Sequence, residues 1–94
     1  MAYEVVVVGG GLGGLTTAAL LARRGLKVCL LERQSHPGGC VVPFEKFGYQ
    51  FESGAGLYAL WAPGEIHNRI FTELAIDPPA VRRVEPSYIV CLPD

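Results

Sequence analysis

The sequence predicts an α/β fold built on a parallel strand–helix–strand unit, and three observations carry that prediction. Residues 5–8 are four consecutive valines, a β-branched run that suits a buried strand. Glycines follow at 9, 11 and 14, the spacing Gly-x-Gly-x-x-Gly, and an alanine-rich apolar stretch from Leu15 to Arg24 then runs without a breaker. A second strand-like run, Lys27 to Leu31, leads into an acid, Glu32. The order strand, glycine turn, helix, strand, acid is the fingerprint of a fold that binds a dinucleotide.

Each element follows from its residues. The first strand is expected over about 4–9, the helix over 13–24 and the second strand over 27–32. Gly9 lets the backbone turn sharply off the strand, Gly11 leaves room for a pyrophosphate, and Gly14 lets the helix lie close on the sheet. The helix N-terminus presents unpaired N–H groups and a partial positive charge to phosphate. Gly25 suits the helix C-terminus, and Arg23 and Arg24 suit its negative end. Glu32 would accept hydrogen bonds from a ribose diol, and its charge would repel a 2′-phosphate, which argues against NADP. Gly9, Gly11, Leu12, Gly13, Gly14, Glu32 and Arg33 are the candidate dinucleotide contacts of this unit.

Beyond Glu32 a loop is centred on Pro37-Gly38-Gly39. Val41 to Glu45 and Tyr49 to Glu52 flank a turn near Lys46 to Gly48, the pattern of a β-hairpin. Gly54, Gly56 and Pro63-Gly64 mark further loop. From Glu65 the period becomes helical, with Ile66, Ile70, Phe71 and Leu74 on one face and a stop before Asp77-Pro78-Pro79. Val81 to Val84 and Tyr88 to Leu92 read as two short strands.

Composition narrows the function classes. Half of the 94 residues are hydrophobic and 18% are charged, a globular composition. A net charge of −1 gives no reason to expect nucleic acid or an anionic membrane surface as partner. Three cysteines, Cys29, Cys40 and Cys91, have no metal-like spacing, and His36 and His67 are isolated, so no metal site is expected. Cys29 reads as a small core residue. Val5 to Ala22 is uncharged and just long enough to imitate a membrane span, but its five glycines argue against a continuous helix. A cytoplasmic protein is expected. Ninety-four residues fall short of the ~150 that a complete doubly wound domain takes, so the chain reads as the N-terminal piece of something longer. The strand-like run before Leu92-Pro93-Asp94 has no following partner.

Continuing from Glu32, the sequence runs Glu-Arg-Gln-Ser-His-Pro-Gly-Gly-Cys, then Phe44-Glu-Lys-Phe-Gly-Tyr-Gln-Phe-Glu-Ser-Gly-Ala-Gly. These residues resemble the N-terminus of the phytoene desaturase, carotenoid isomerase and retinol saturase group of amine-oxidase-like FAD enzymes, over nearly the whole chain. The resemblance implies that Gly38 and Gly39 are a second FAD signature, with bare backbone close to the pyrophosphate and flavin. It implies that Ser53 and Gly54, in Glu52-Ser53-Gly54, lie near the flavin ring. Cys40 follows the paired glycines, where amine oxidases and bacterial phytoene desaturases usually carry Arg, and Glu52-Ser-Gly-Ala stands where they tend to have Asp-x-Gly-Pro. A small first residue there looks more like the isomerase and saturase branch.

The resemblance thus implies a partial Rossmann-like FAD-binding domain: a βαβ unit plus a hairpin, one further helix and short strands. Residues 1–80 would be the N-terminal part of that domain, and 81–94 the start of a β-rich segment leading to a substrate domain. FAD is the implied cofactor. The implied activity is oxidoreduction at carbon–carbon double bonds of a small apolar, polyene-like substrate, with any membrane contact made through other regions. No residue reads as a general acid or base. Three alternatives stay open: another amine-oxidase-like flavoenzyme, a dinucleotide-binding segment without activity, and an NAD-binding module.

Overall fold

The computed structural model describes residues 2–54 and 57–93, so Gly56 of the expected loop and Asp94 of the C-terminus lie outside the described residues. In chain order the elements are β1 (Val5–Val8), α1 (Leu12–Arg23), β2 (Val28–Leu31), β3 (Pro43–Lys46), β4 (Tyr49–Glu52) and α2 (Ile66–Leu74). β1 and β2 pair in parallel, with Val5 opposite Val28 and Val8 opposite Leu31. The flanking backbone extends the ladder: Glu4 N donates to Lys27 O at 2.8 Å, and Gly9 N to Leu31 O at 2.7 Å. The βαβ unit is therefore present where the valine run, glycine turn and second strand predict it.

α1 crosses from β1 to β2 and covers one face of the pair. Val5 and Val7 are half-buried beneath it, whereas Val6 and Val8 are 55% and 82% exposed. The expectation of a buried first strand is thus corrected to a half-buried one, because a single crossover helix can cover only one face of two strands. Cys29 is likewise half-buried rather than in a closed core. Among the described residues no hydrophobic side chain is fully buried.

α1 ends in a Schellman motif. Gly25, at φ 93°, donates to Ala22 O at 3.0 Å, and Leu26 N donates to Leu21 O at 3.2 Å. The two arginines of the last turn also clasp the second helix. Arg24 meets the Glu73 carboxylate at 2.7 Å, and Arg23 Nε donates to the Glu73 carbonyl at 3.2 Å. α2 packs on α1, with Ile70, Phe71 and Leu74 half-buried and Ile66 exposed. Trp61, just before α2, stacks on His67 at 4.5 Å between ring centroids. α2 closes with the same backbone pattern as α1, but Ala75 holds the left-handed position at φ 56°.

β3 and β4 form the expected hairpin, with Phe44 and Phe51 cross-strand partners whose rings stack 5.5 Å apart. Phe47 and Gly48 make a two-residue turn with both φ angles positive, 54° and 78°. The first arm starts at Pro43 rather than Val41. The reason is local: Val41 N donates to Gly38 O at 3.0 Å, so residues 38–41 are spent on a turn. Val81 to Val84 and Tyr88 to Leu92, expected as short strands, carry no ladder. A strand persists only with a hydrogen-bonded partner, and none of the described residues pairs with them. They run as exposed chain, which stretches the molecule to 63 × 33 × 24 Å.

Candidate dinucleotide-binding site

The site is built where β1 gives way to α1. Gly9 leaves the strand at φ 103°, a conformation that costs any residue with a Cβ. A Cβ at Gly14 would collide with the Gly9 carbonyl oxygen, so the first turn of α1 can sit on the strand end only with glycine at 14. Gly11 is the N-cap, and no side chain bonds to the first amides of the helix. The N–H groups of Leu12, Gly13 and Gly14 have no carbonyl within the helix to receive them, so they are available to an anion.

Glu32, one residue past β2, reaches back to this turn. Gly10 N donates to Glu32 Oε2 at 2.6 Å, and Gln34 N donates to Oε1 at 2.8 Å. The Gln34 amide, then the Gly10 amide, hold the Glu32 carboxyl below its ordinary value, and the charge of Arg33 adds to the effect. A carboxylate offers about four acceptor positions, so the two amides leave two for hydroxyl donors.

The paired glycines close on the turn from the other side. Gly38 N donates to Gly10 O at 2.7 Å. A Cβ on Gly39 would stand 3.0 Å from Gly11 Cα, so the two glycine motifs touch backbone to backbone. Gly38 and Gly39 both have positive φ, 127° and 61°. The third motif joins them: a Cβ on Gly54 would lie 3.0 Å from the Cys40 carbonyl, and Ser53 N donates to Val42 O at 3.3 Å. A cleft of about 580 Å³ lies on the Glu32 side of these parts, lined by Glu32, Arg33, His36, Gly39, Phe44 and Ser53 among others.

The structure thus gathers the candidate contacts in one region. Glu32, Arg33, Gly39 and Ser53 line the cleft, and Gly9, Gly11, Gly13 and Gly14 form the turn beside it. Leu12 is 62% exposed at the first helical position. Cys40 is exposed and enters the arrangement through its carbonyl. Sequence reasoning missed Gly10. It is buried, and both its amide and its carbonyl are engaged by other motifs. Its signal was the run of three glycines at 9–11, where the spacing rule asks only for the first and third. His36 and Phe44, also on the cleft, lie in the stretches that carry the resemblance but were not among the candidate contacts.

Residues 7–74 match the family of NAD(P)-binding Rossmann-like domains. The chain belongs to that family. Among named relatives of this Rossmann-like domain is the all-trans-retinol 13,14-reductase of Homo sapiens, 38% identical over 71 residues. That match covers 76% of this chain and 12% of the reductase. The phytoene desaturase of Cercospora nicotianae is 38% identical over 93 residues, covering 95% of this chain and 14% of the desaturase. A protein of Danio rerio named inactive all-trans-retinol 13,14-reductase is 39% identical over 74 residues, covering 79% of this chain and 11% of its own. The chain therefore spans between about a tenth and a seventh of the length of these relatives. Their names bear out the resemblance drawn from the glycine motifs. No helix among the described residues is long and apolar enough to cross a membrane.

Proposed function

We propose that this Rossmann-like chain is the FAD-binding segment of an oxidoreductase. Its action would be on carbon–carbon double bonds of a polyene or isoprenoid-like substrate, by desaturation, saturation or isomerisation. The observation that carries the reading is the backbone contact between Gly11 and Gly39, which brings the first glycine motif against the second, beside the cleft that Glu32 and Gly39 line. The amides at the start of α1 would receive the pyrophosphate, with the bare backbone of Gly39 beside them. The free acceptor positions of Glu32 would take a ribose diol, and Arg33 would flank it. Ser53 and Gly54 would serve the flavin end. FAD, when bound, would supply the redox chemistry, and this chain would bind and orient it.

The names of the relatives support the polyene substrate class. The second glycine loop favours FAD over NAD, because a one-loop site would not need Gly38 and Gly39 to approach Gly11. The same reading places the protein in the cytoplasm, with any membrane contact peripheral. A lead from 81–94 into a substrate domain and a small apolar substrate as partner belong to the same proposal. A dinucleotide-binding segment without turnover is the second reading, since no side chain at the cleft pairs as an acid with a base.

The test is a binding titration of the purified chain with FAD, NAD and NADP in parallel. FAD is expected to bind at least about tenfold more tightly than NAD, the worth of one further good polar contact, and NADP least of all. NAD binding as tightly as FAD would overturn the cofactor assignment.

A further inference from the structure

Five of the six residues at positions 9–14 are glycine, so the intrinsic backbone preferences of this turn restrain it little. Its own side chains do nothing to restrain it, because the N-cap is Gly11 and no side chain caps the helix. An anion site made of backbone amides works only when those amides are already aimed. Whatever aims them must come from outside the turn.

Beyond the ladder bond from Gly9 N to Leu31 O and the packing of Gly39 on Gly11, the hydrogen bonds that reach the turn from outside fall on Gly10. Gly10 is buried, its amide donates to Glu32 Oε2 at 2.6 Å, and its carbonyl accepts from Gly38 N at 2.7 Å. Glu32 is itself fixed, because its other oxygen accepts the Gln34 amide at 2.8 Å. The fit is close: a Cβ on Gly10 would stand 2.9 Å from Oε2 and 3.2 Å from the Glu32 Cβ. A ribose ligand needs no such contact. A carboxylate beside the positive end of a helix also lowers the attraction for phosphate there, unless it contributes something else.

We propose that Glu32 is a positioning residue: by accepting the Gly10 amide it sets the glycine turn in its anion-binding shape before any ligand arrives. The proposal rests on reading the turn as a dinucleotide site, and it adds to Glu32 a role that needs no ribose.

Two measurements on the 94-residue chain test it. The first is amide hydrogen exchange without ligand. Gly10 is expected to exchange at least about tenfold more slowly than Gly13, which in the first helical turn has no carbonyl to receive it. In Glu32→Ala that protection is lost, while the Leu26 amide in the α1 Schellman motif is unchanged. Glu32→Gln, with one acceptor oxygen for two amides, falls between. Equal exchange at Gly10 and Gly13 in the wild type overturns the proposal, as does protection that survives Glu32→Ala. If Leu26 also loses protection in the variant, the wild-type comparison decides alone.

The second measurement uses inorganic pyrophosphate, which has no ribose. A purely ribose-binding Glu32 predicts that Glu32→Ala leaves pyrophosphate binding unchanged or tightens it, since a negative charge is removed. Positioning predicts the opposite sign, binding weakened by several-fold, read from the amide shifts of residues 11–14. Unchanged or tighter binding overturns the proposal. A wild-type chain that does not respond to pyrophosphate counts against the dinucleotide site itself, and the exchange measurement then still decides the positioning role.

Discussion

Glu32 is held by two amides, from Gln34 and Gly10, and that fixes how it responds to acid. Its folded-state carboxyl titrates below its ordinary value, through the Gln34 amide first and the Gly10 amide next. The stabilisation it gives is therefore complete above the ordinary carboxylate range and is lost as pH falls through the lowered folded value. On its own loop the charge of Arg33 favours the ionised form, and the His36 side chain lines the same cleft. A carboxyl carbon titration should place the Glu32 midpoint below that of glutamate in an unstructured peptide. A midpoint at or above the peptide value would show that the two amide bonds are not held in solution. At this scale the sequence was informative where spacing forces a backbone outcome. Gly9 and Gly14 fill roles that only glycine fits, and the acid after β2 was identifiable by position. The bond from Gly38 to Gly10 was not legible, because the residues lie far apart in sequence and nothing local encodes their meeting. Only family resemblance tied the two motifs together.

α1 and α2 end alike in backbone but differ in residue. Gly25 takes a positive φ at no steric cost, whereas Ala75 is forced to φ 56° and ψ 41°. A left-handed conformation costs a residue with a Cβ roughly 1–2 kcal/mol, and glycine gives part of that back as greater unfolded-state freedom. Ala75→Gly is therefore expected to stabilise the α2 C-terminus by about 0.5–1 kcal/mol. Helical circular dichroism should show it as a raised melting midpoint, and a lowered midpoint would mean that the Ala75 methyl packs in a way that outweighs its strain. The nearby Arg24–Glu73 pair is more than two-fifths exposed on both sides, so it adds little by comparison. Elements set by local pattern were legible: the valine run, the breaker-free stretch from Leu15 that makes most of α1, the hairpin around Phe47-Gly48, and the apolar face of α2. The two C-terminal strands were not. Tyr88 to Leu92 has the composition of a strand, but composition supplies no partner, and here the run stays 70% or more exposed at Tyr88, Ile89, Val90 and Leu92.

For the whole molecule, the decisive quantity is how little is sealed from water. The radius of gyration is 17.0 Å, where a compact domain of about 100 residues has ~13 Å. Both faces of the hairpin are exposed, one face of the β1–β2 pair is open, and residues 77–93 contribute no element. Cooperative unfolding draws on a shared close-packed core, and among the described residues none is present. A close-packed domain of this length absorbs about 65 kcal/mol on melting, at ~0.7 kcal/mol per residue. Calorimetry of the chain is expected to give a broad transition with well under half of that enthalpy, carried by the βαβ unit and its clasp to α2. Removal of residues 80–94 sharpens the test. Val81, Val84 and Tyr88 are 58%, 46% and 77% exposed, so the shortened chain should melt with the same midpoint and enthalpy. A sharp transition near the full enthalpy would overturn this account, because it would require a core that these surfaces do not form. A fall in midpoint on truncation would overturn it from the other side, by showing that the tail packs against the βαβ unit.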